Sequence, residues 1–173
     1  RRMTSTQKIT LWLSALGGAG LALVLWGLLV WLDGWPGPIP DAGERIGLAL
    51  KLAVLPAGFL LVVVQVVALT RLITGAIDPL TDTPSTWRRV DMRVLANTVE
   101  QTLIFLPLYL AVGMVIKADE SPWLTVLPVA FVLARIAFWV GYRISPMGRA
   151  PGMAAGFFIN LGMLGFVIAR FLG

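Results

Sequence analysis

The sequence has no cysteine and no histidine. Without cysteine there are no disulfides, no protein thiolate nucleophile and no cysteine metal site. Without histidine the commonest metal ligand and the usual neutral-pH base are gone as well. Any chemistry must run on Arg, Tyr, Glu, Ser, Thr or a supplied cofactor, and no bound metal is expected. Internal repeats and low-complexity tracts are also missing, and no polar stretch is long enough to be a separate domain. Acidic side chains are nearly absent from the apolar runs, where Glu100 stands alone.

What fills the chain is hydrocarbon. Of 173 residues, 58% are hydrophobic, against roughly 45 to 50% in soluble domains. Mean hydropathy is +0.85. These values describe an integral membrane protein. The formal charge of +5 has no basic soluble domain behind it, so it reads as membrane topology, and no nucleic-acid binding is expected.

Five apolar runs follow one another. Ile9 to Leu32 comes first, after Arg1, Arg2 and Lys8, and is long enough to cross a ~30 Å hydrocarbon core at ~1.5 Å per residue. It exceeds a secretory apolar region and lacks a cleavage pattern, which predicts a retained helix. Trp12, Trp26, Trp31 and Trp35 fit interfacial anchors. A Gly/Pro loop, DGWPGPIPDAGE, separates it from the second run, Ile46 to Leu72, with Gln65 inside and Arg71 at its exit. A polar connection, Thr74 to Asp91, leads to the third run, Val94 to Ile116, which contains Pro107. The fourth, Trp123 to Tyr142, holds Arg135. The connector RISPMGRAP then leads to the fifth, Gly152 to Phe171, with Asn160. Alternate loops share a side, placing nine basic residues on one face and Arg45, Lys51, Lys117 and Arg170 on the other. The positive-inside rule then predicts a cytoplasmic N-terminus and an external C-terminus.

The stretch RVLANTVEQTLIFLPLYL, Arg93 to Leu110, brings Arg93, Asn97 and Glu100 into an apolar helix. Positions i, i+4 and i+7 share one helix face, so the three form a polar stripe. Ionisable groups in a bilayer cost a few kcal/mol or more and normally face a partner, a cavity or a pathway. On the fourth run Arg135, Phe138 and Tyr142 share a face, and Glu100 with Arg135 is the first ion pair to expect. Such a pair is either a lock between helices or part of a ligand site. Arg149 precedes Pro151, a residue favoured in a first helical turn. An anion near Arg149 would be stabilised by the guanidinium and by the helix dipole. A thiolate is such an anion, so Arg149 is a candidate activator of a thiol brought by a ligand. Asn160 and Gln65 suit interhelical hydrogen bonds, Gly156, Gly162 and Gly165 close helix packing, and Arg88 and Arg89 lipid headgroups.

Taken together, R-x-x-x-N-x-x-E at Arg93, Asn97 and Glu100, A-R-x-x-x-x-x-G-Y from Ala134 to Tyr142, and R-A-P from Arg149 to Pro151 resemble the MAPEG family. These are the membrane-associated proteins in eicosanoid and glutathione metabolism. The resemblance covers Ile46 to Gly173. It implies an all-α, four-helix membrane domain over residues 46–173, assembled as a trimer, with residues 1–45 adding an extra N-terminal transmembrane helix and its loop. It implies glutathione as co-substrate, bound between subunits near the cytoplasmic face. Arg93, Asn97 and Glu100 would line the pocket, Arg135 and Tyr142 would come from across the subunit interface, and Gln65 and Arg71 would add contacts. Two carboxylates for arginines and an ammonium for Glu100 suit that ligand. Arg149 matches the arginine that stabilises the thiolate in the leukotriene-forming member. Phe138 and Gln101 stand where that pattern has tyrosines.

The expected function is glutathione-dependent conjugation or isomerisation of a lipophilic electrophile, in a bacterial inner membrane. The alternative is a non-enzymatic membrane protein that keeps the fold and uses the polar stripe as structural glue. A proton relay through Glu100 and Arg135 fits less well, because one buried acid makes a poor relay.

Overall fold

The computed structural model describes residues 5–32, 35–74 and 85–173. Every long element is helical. In chain order they are α1 Ser5–Trp31, α2 Ala42–Leu52, α3 Val54–Ile73, α4 Thr86–Val115, α5 Trp123–Ile144 and α6 Ala150–Leu172, with a single 3-10 turn, Ala118–Glu120, before α5. Arg1, Arg2, Asp33 and residues 75–84 of the polar connection lie outside the described residues.

Four stretches are long and apolar enough to cross a membrane: Ala42–Ile73, Thr86–Val115, Ala118–Ile144 and Ala150–Leu172. They correspond to the second to fifth runs, and they make this an integral membrane protein. The described apolar part of α1, Ala15–Trp31, is shorter. A fifth crossing therefore remains an expectation that rests on α1 alone.

Local chemistry sets the boundaries. The second run breaks in two at Ala53, because Pro56 has no N–H and its ring would collide with the Leu52 carbonyl in a continuous helix. Asp41 caps α2 by accepting a hydrogen bond from the Glu44 N–H at 2.9 Å. Ser85 caps α4 through the Arg88 N–H at 3.4 Å. That cap starts α4 at Thr86, well before the apolar pattern begins, so Arg88, Asp91 and Arg93 all sit on the helix. Pro107 is accommodated on an exposed face of α4, which continues through it.

α6 is the central stave, packed against α1, α4 and α5, while α3 lies on α4 and α5. The core is aromatic. Phe105 stacks on Phe131 with centroids 4.3 Å apart and on Tyr109 at 5.2 Å. The Tyr109 hydroxyl donates to the Leu124 carbonyl. Arg45, counted above as a loop cation, is buried. Its guanidinium donates to the carbonyls of Ile39 at 2.8 Å, Pro40 at 2.7 Å and Gly113 at 3.3 Å, tying the loop before α2 to α4. Arg88 is buried too and donates to Thr74 Oγ1 at 2.8 Å, so only the exposed Arg89 of that pair is free to meet headgroups.

The close helix contact is at Gly152. A Cβ there would lie 2.2 Å from the Phe138 backbone nitrogen and 2.7 Å from the Ala134 carbonyl, so α5 and α6 touch backbone to backbone. Of the glycines expected to do this, Gly156 makes room for the Arg135 guanidinium, whereas Gly162 and Gly165 have nothing within 4 Å of an added Cβ. Gly17 of α1 rests on the Pro151 backbone in the same way, with an added Cβ 2.5 Å from its carbonyl oxygen.

Candidate functional site

The polar stripe on α4 lies at the edge of the bundle. Arg93 and Glu100 are exposed, and Asn97 is half-buried. Asn97 Oδ1 accepts a hydrogen bond from Arg135 Nη1 at 2.8 Å. Arg135 Nη2 donates to the Gly152 carbonyl at 3.0 Å. The guanidinium is fully buried, 5.7 Å from the Phe131 ring centre and 5.0 Å from that of Phe138. The expected Glu100–Arg135 pair is therefore not formed. Arg135 is held by one neutral amide, one carbonyl and two aromatic faces, and Glu100 has no hydrogen-bond or ion-pair partner among the described residues. Spacing along α4 could not decide which of its polar groups turns inward.

The shared face on α5 is as expected. Phe138 and Tyr142 lie 5.9 Å apart, and the Arg149 guanidinium sits 4.8 Å from the Tyr142 ring centre. Arg135, Phe138, Tyr142 and Arg149 thus form a continuous cation–aromatic file running from the buried middle of the bundle to its end. Arg149 is the N-cap residue of α6, with Pro151 in the first turn. Its side chain is exposed and lines a cleft of about 410 Å³, whose other walls include Gln101, Met153, Ala154, Phe157 and Phe158. A cation at a helix N-terminus over an apolar cleft suits a bound anion with a lipophilic partner.

Gln65 is exposed and Arg71 half-buried on α3. Within one chain neither bonds to the other candidate residues. Among the described residues no three metal-ligating side chains come together.

One group, around Asp91, and one partner, that of Asn160, were not foreseen in the sequence. Asp91 is buried, accepts from Trp139 Nε1 at 2.8 Å, and binds Arg143 through both carboxylate oxygens at 2.8 and 2.7 Å. The cap at Ser85 was the signal that could have moved it from loop to helix. Gln101 and Asn160 are joined by a hydrogen bond from Asn160 Nδ2 to Gln101 Oε1 at 2.9 Å. Asn160 was expected to bond between helices, but no periodicity names its partner.

No match to this chain was found among the curated proteins. A model of the MAPEG family, however, matches residues 48–169, which takes in α3, α4, α5, nearly all of α6 and every candidate residue named above. The chain therefore belongs to the MAPEG family.

Proposed function

We propose that this protein is a glutathione-dependent membrane enzyme that joins the thiol to a lipophilic electrophile, or isomerises one, in the cleft beside Arg149. The observation that carries this reading is the placement of Arg149. Its guanidinium is fixed against Tyr142 at the N-terminus of α6 and opens on an apolar cleft. Guanidinium and helix terminus are both preorganised, so they favour negative charge on sulfur without a histidine base. Arg93, Asn97 and Glu100 hold the peptide, with the Arg93 guanidinium on a carboxylate and Glu100 on the ammonium. Arg135 acts differently from the first expectation: buried and bonded to Asn97 in its own chain, it fixes Asn97 and does not touch the ligand. Gln65, Arg71 and Tyr142 complete the pocket.

The reading includes a trimer. Glu100 lies fourteen residues into α4, ~21 Å of helix rise from its start, yet it is exposed and without a partner among the described residues. A carboxylate at that depth facing lipid is costly. A neighbouring subunit and the ammonium of the bound peptide cover it together. The excess of basic residues around Arg71, Arg93, Arg143 and Arg149 supports a cytoplasmic position for this end of the bundle, where glutathione is met.

The test is Arg149→Ala. Turnover should fall by roughly a hundredfold or more, as for other lost charge-stabilising donors, while glutathione affinity changes little. The ultraviolet absorption of bound thiolate should disappear with it. An equal loss of turnover and affinity, with the thiolate signal intact, would take the thiolate role away from Arg149.

A further inference from the structure

Gln101 lines the cleft that Arg149 opens on, and its amide has a fixed orientation. Asn160 Nδ2 donates both to Gln101 Oε1 at 2.9 Å and to the Gln101 backbone carbonyl at 3.4 Å. A backbone carbonyl can only accept, so it is the NH2 side of Asn160 that faces α4. That NH2 in turn requires the oxygen of the Gln101 amide, and the Gln101 Nε2 is left pointing away. Asn160 is buried, and its own Oδ1 is closed off without a partner. Gln101 Nε2 is different: it has no hydrogen-bond partner among the described residues, yet it is not buried. It is accessible, on a residue that lines the cleft, and carries two N–H donors that no described residue accepts.

The depth of this donor matters. Asn160 lies eleven residues along α6 from Arg149, about 16 Å of helix rise. Arg149 lies toward one end of the cleft and Gln101, held by Asn160, toward the other, with Met153, Ala154 and Phe157 on the α6 wall between them. An all-hydrocarbon molecule reaching that depth would leave both N–H groups unpaired, which is unfavourable in an apolar cleft.

We propose that Gln101 Nε2 is a specificity determinant, with Asn160 as its positioning residue: the cleft selects lipophilic electrophiles that carry an oxygen acceptor well away from the reacting carbon. This rests on the glutathione reading above. In the reaction the thiolate sulfur forms a bond to the electrophilic carbon, and the bond from that carbon to its leaving group breaks, the leaving group departing with the electron pair. Gln101 takes no part in the bond changes. It donates a hydrogen bond to a carbonyl, ether or hydroxyl oxygen at the far end of the molecule.

Long-chain alkyl bromides test this, one without a ketone and others with a single ketone near, midway along or far from the bromine-bearing carbon. Each is assayed for glutathione conjugation by the full-length protein in bilayer discs. The wild type should prefer one distant ketone position over the ketone-free chain by about three- to tenfold in kcat/KM, the size of one neutral hydrogen bond. Gln101→Met should abolish that preference, bringing the distant-ketone bromide down to the kcat/KM of the ketone-free chain. Asn160→Leu leaves Gln101 in place but frees its amide to turn, and should weaken the preference without moving its position. A wild type indifferent to ketone position, or a preference that survives both variants, overturns the inference. So does a uniform loss on all bromides with weaker glutathione binding, since Gln101 would then hold the thiol peptide. No conjugation of any bromide, with no glutathione bound, would instead overturn the reading underneath.

Discussion

Arg135 and Arg149 carry the same guanidinium, and the fold gives them opposite work. Arg135 is sealed among Phe131, Phe138, Asn97 and the Gly152 carbonyl, with its Nε left unpartnered. Arg149 stands exposed at a helix N-terminus. Both were visible in the sequence, Arg135 inside an apolar run and Arg149 just before one, and the shared helix face of Arg135 and Tyr142 was legible. Their partners were not, because spacing along one helix fixes a face but not which neighbour that face meets. Asp91 shows the same limit more sharply. It lies before the apolar pattern of α4, so hydropathy assigns it to a loop, while the Ser85 cap places it on the helix, buried beneath Trp139 and Arg143. Asp91→Ala removes the acceptor of three donors. The predicted cost is about 2 kcal/mol, within the range for hydrogen bonds to a charged group. A fully buried pair would cost more, but the Arg143 side chain is 41% exposed and water recovers part of the loss. A denaturant midpoint measured in mixed micelles checks this. A change under 0.5 kcal/mol would make the cluster incidental.

Among the elements, the four long apolar helices were readable from run length and hydropathy, but the second run was read as unbroken, although Pro56, one turn after Leu52, carried the signal for the break between α2 and α3. Helix contacts were less readable. Glycine composition alone pointed to Gly156, Gly162 and Gly165, yet the backbone-to-backbone crossing of α5 and α6 falls at Gly152. Small residues line a helix for several reasons, and only the packed pair tells them apart. Gly152→Val must drive α5 and α6 apart, disrupting the Arg135 bond to the Gly152 carbonyl and the file that ends at Arg149. The expected loss is at least the 1 to 3 kcal/mol typical of overpacking. Gly162→Ala, with open space around its Cβ, should leave the monomer fold intact. Thermal melts of the two variants side by side check the contrast, and equal melting temperatures would show that the α5–α6 crossing is not packed backbone to backbone.

For the whole molecule, the family and the membrane architecture follow from pattern, since three motifs in the right order sit on α4, α5 and the start of α6. The proposed assembly follows from what one chain leaves uncovered. Arg93 and Glu100 are exposed and without partners among the described residues, and in the proposed assembly a neighbouring subunit and a zwitterionic ligand cover them at that depth. That is the central claim, that this polar edge is a glutathione site. The most direct test is the melting temperature of the detergent-purified protein with rising glutathione, beside its S-methyl form and beside an Arg93→Ala, Glu100→Ala double variant. A ligand that binds only the folded state stabilises it by RT ln(1 + [L]/Kd), ~2.7 kcal/mol at a hundredfold excess. The account predicts a saturable rise with both ligands in the wild type and none in the double variant. A folded, oligomeric wild type that shows no shift at millimolar glutathione would contradict it, leaving the polar stripe as a bond between subunits and the protein as a non-enzymatic member of its family.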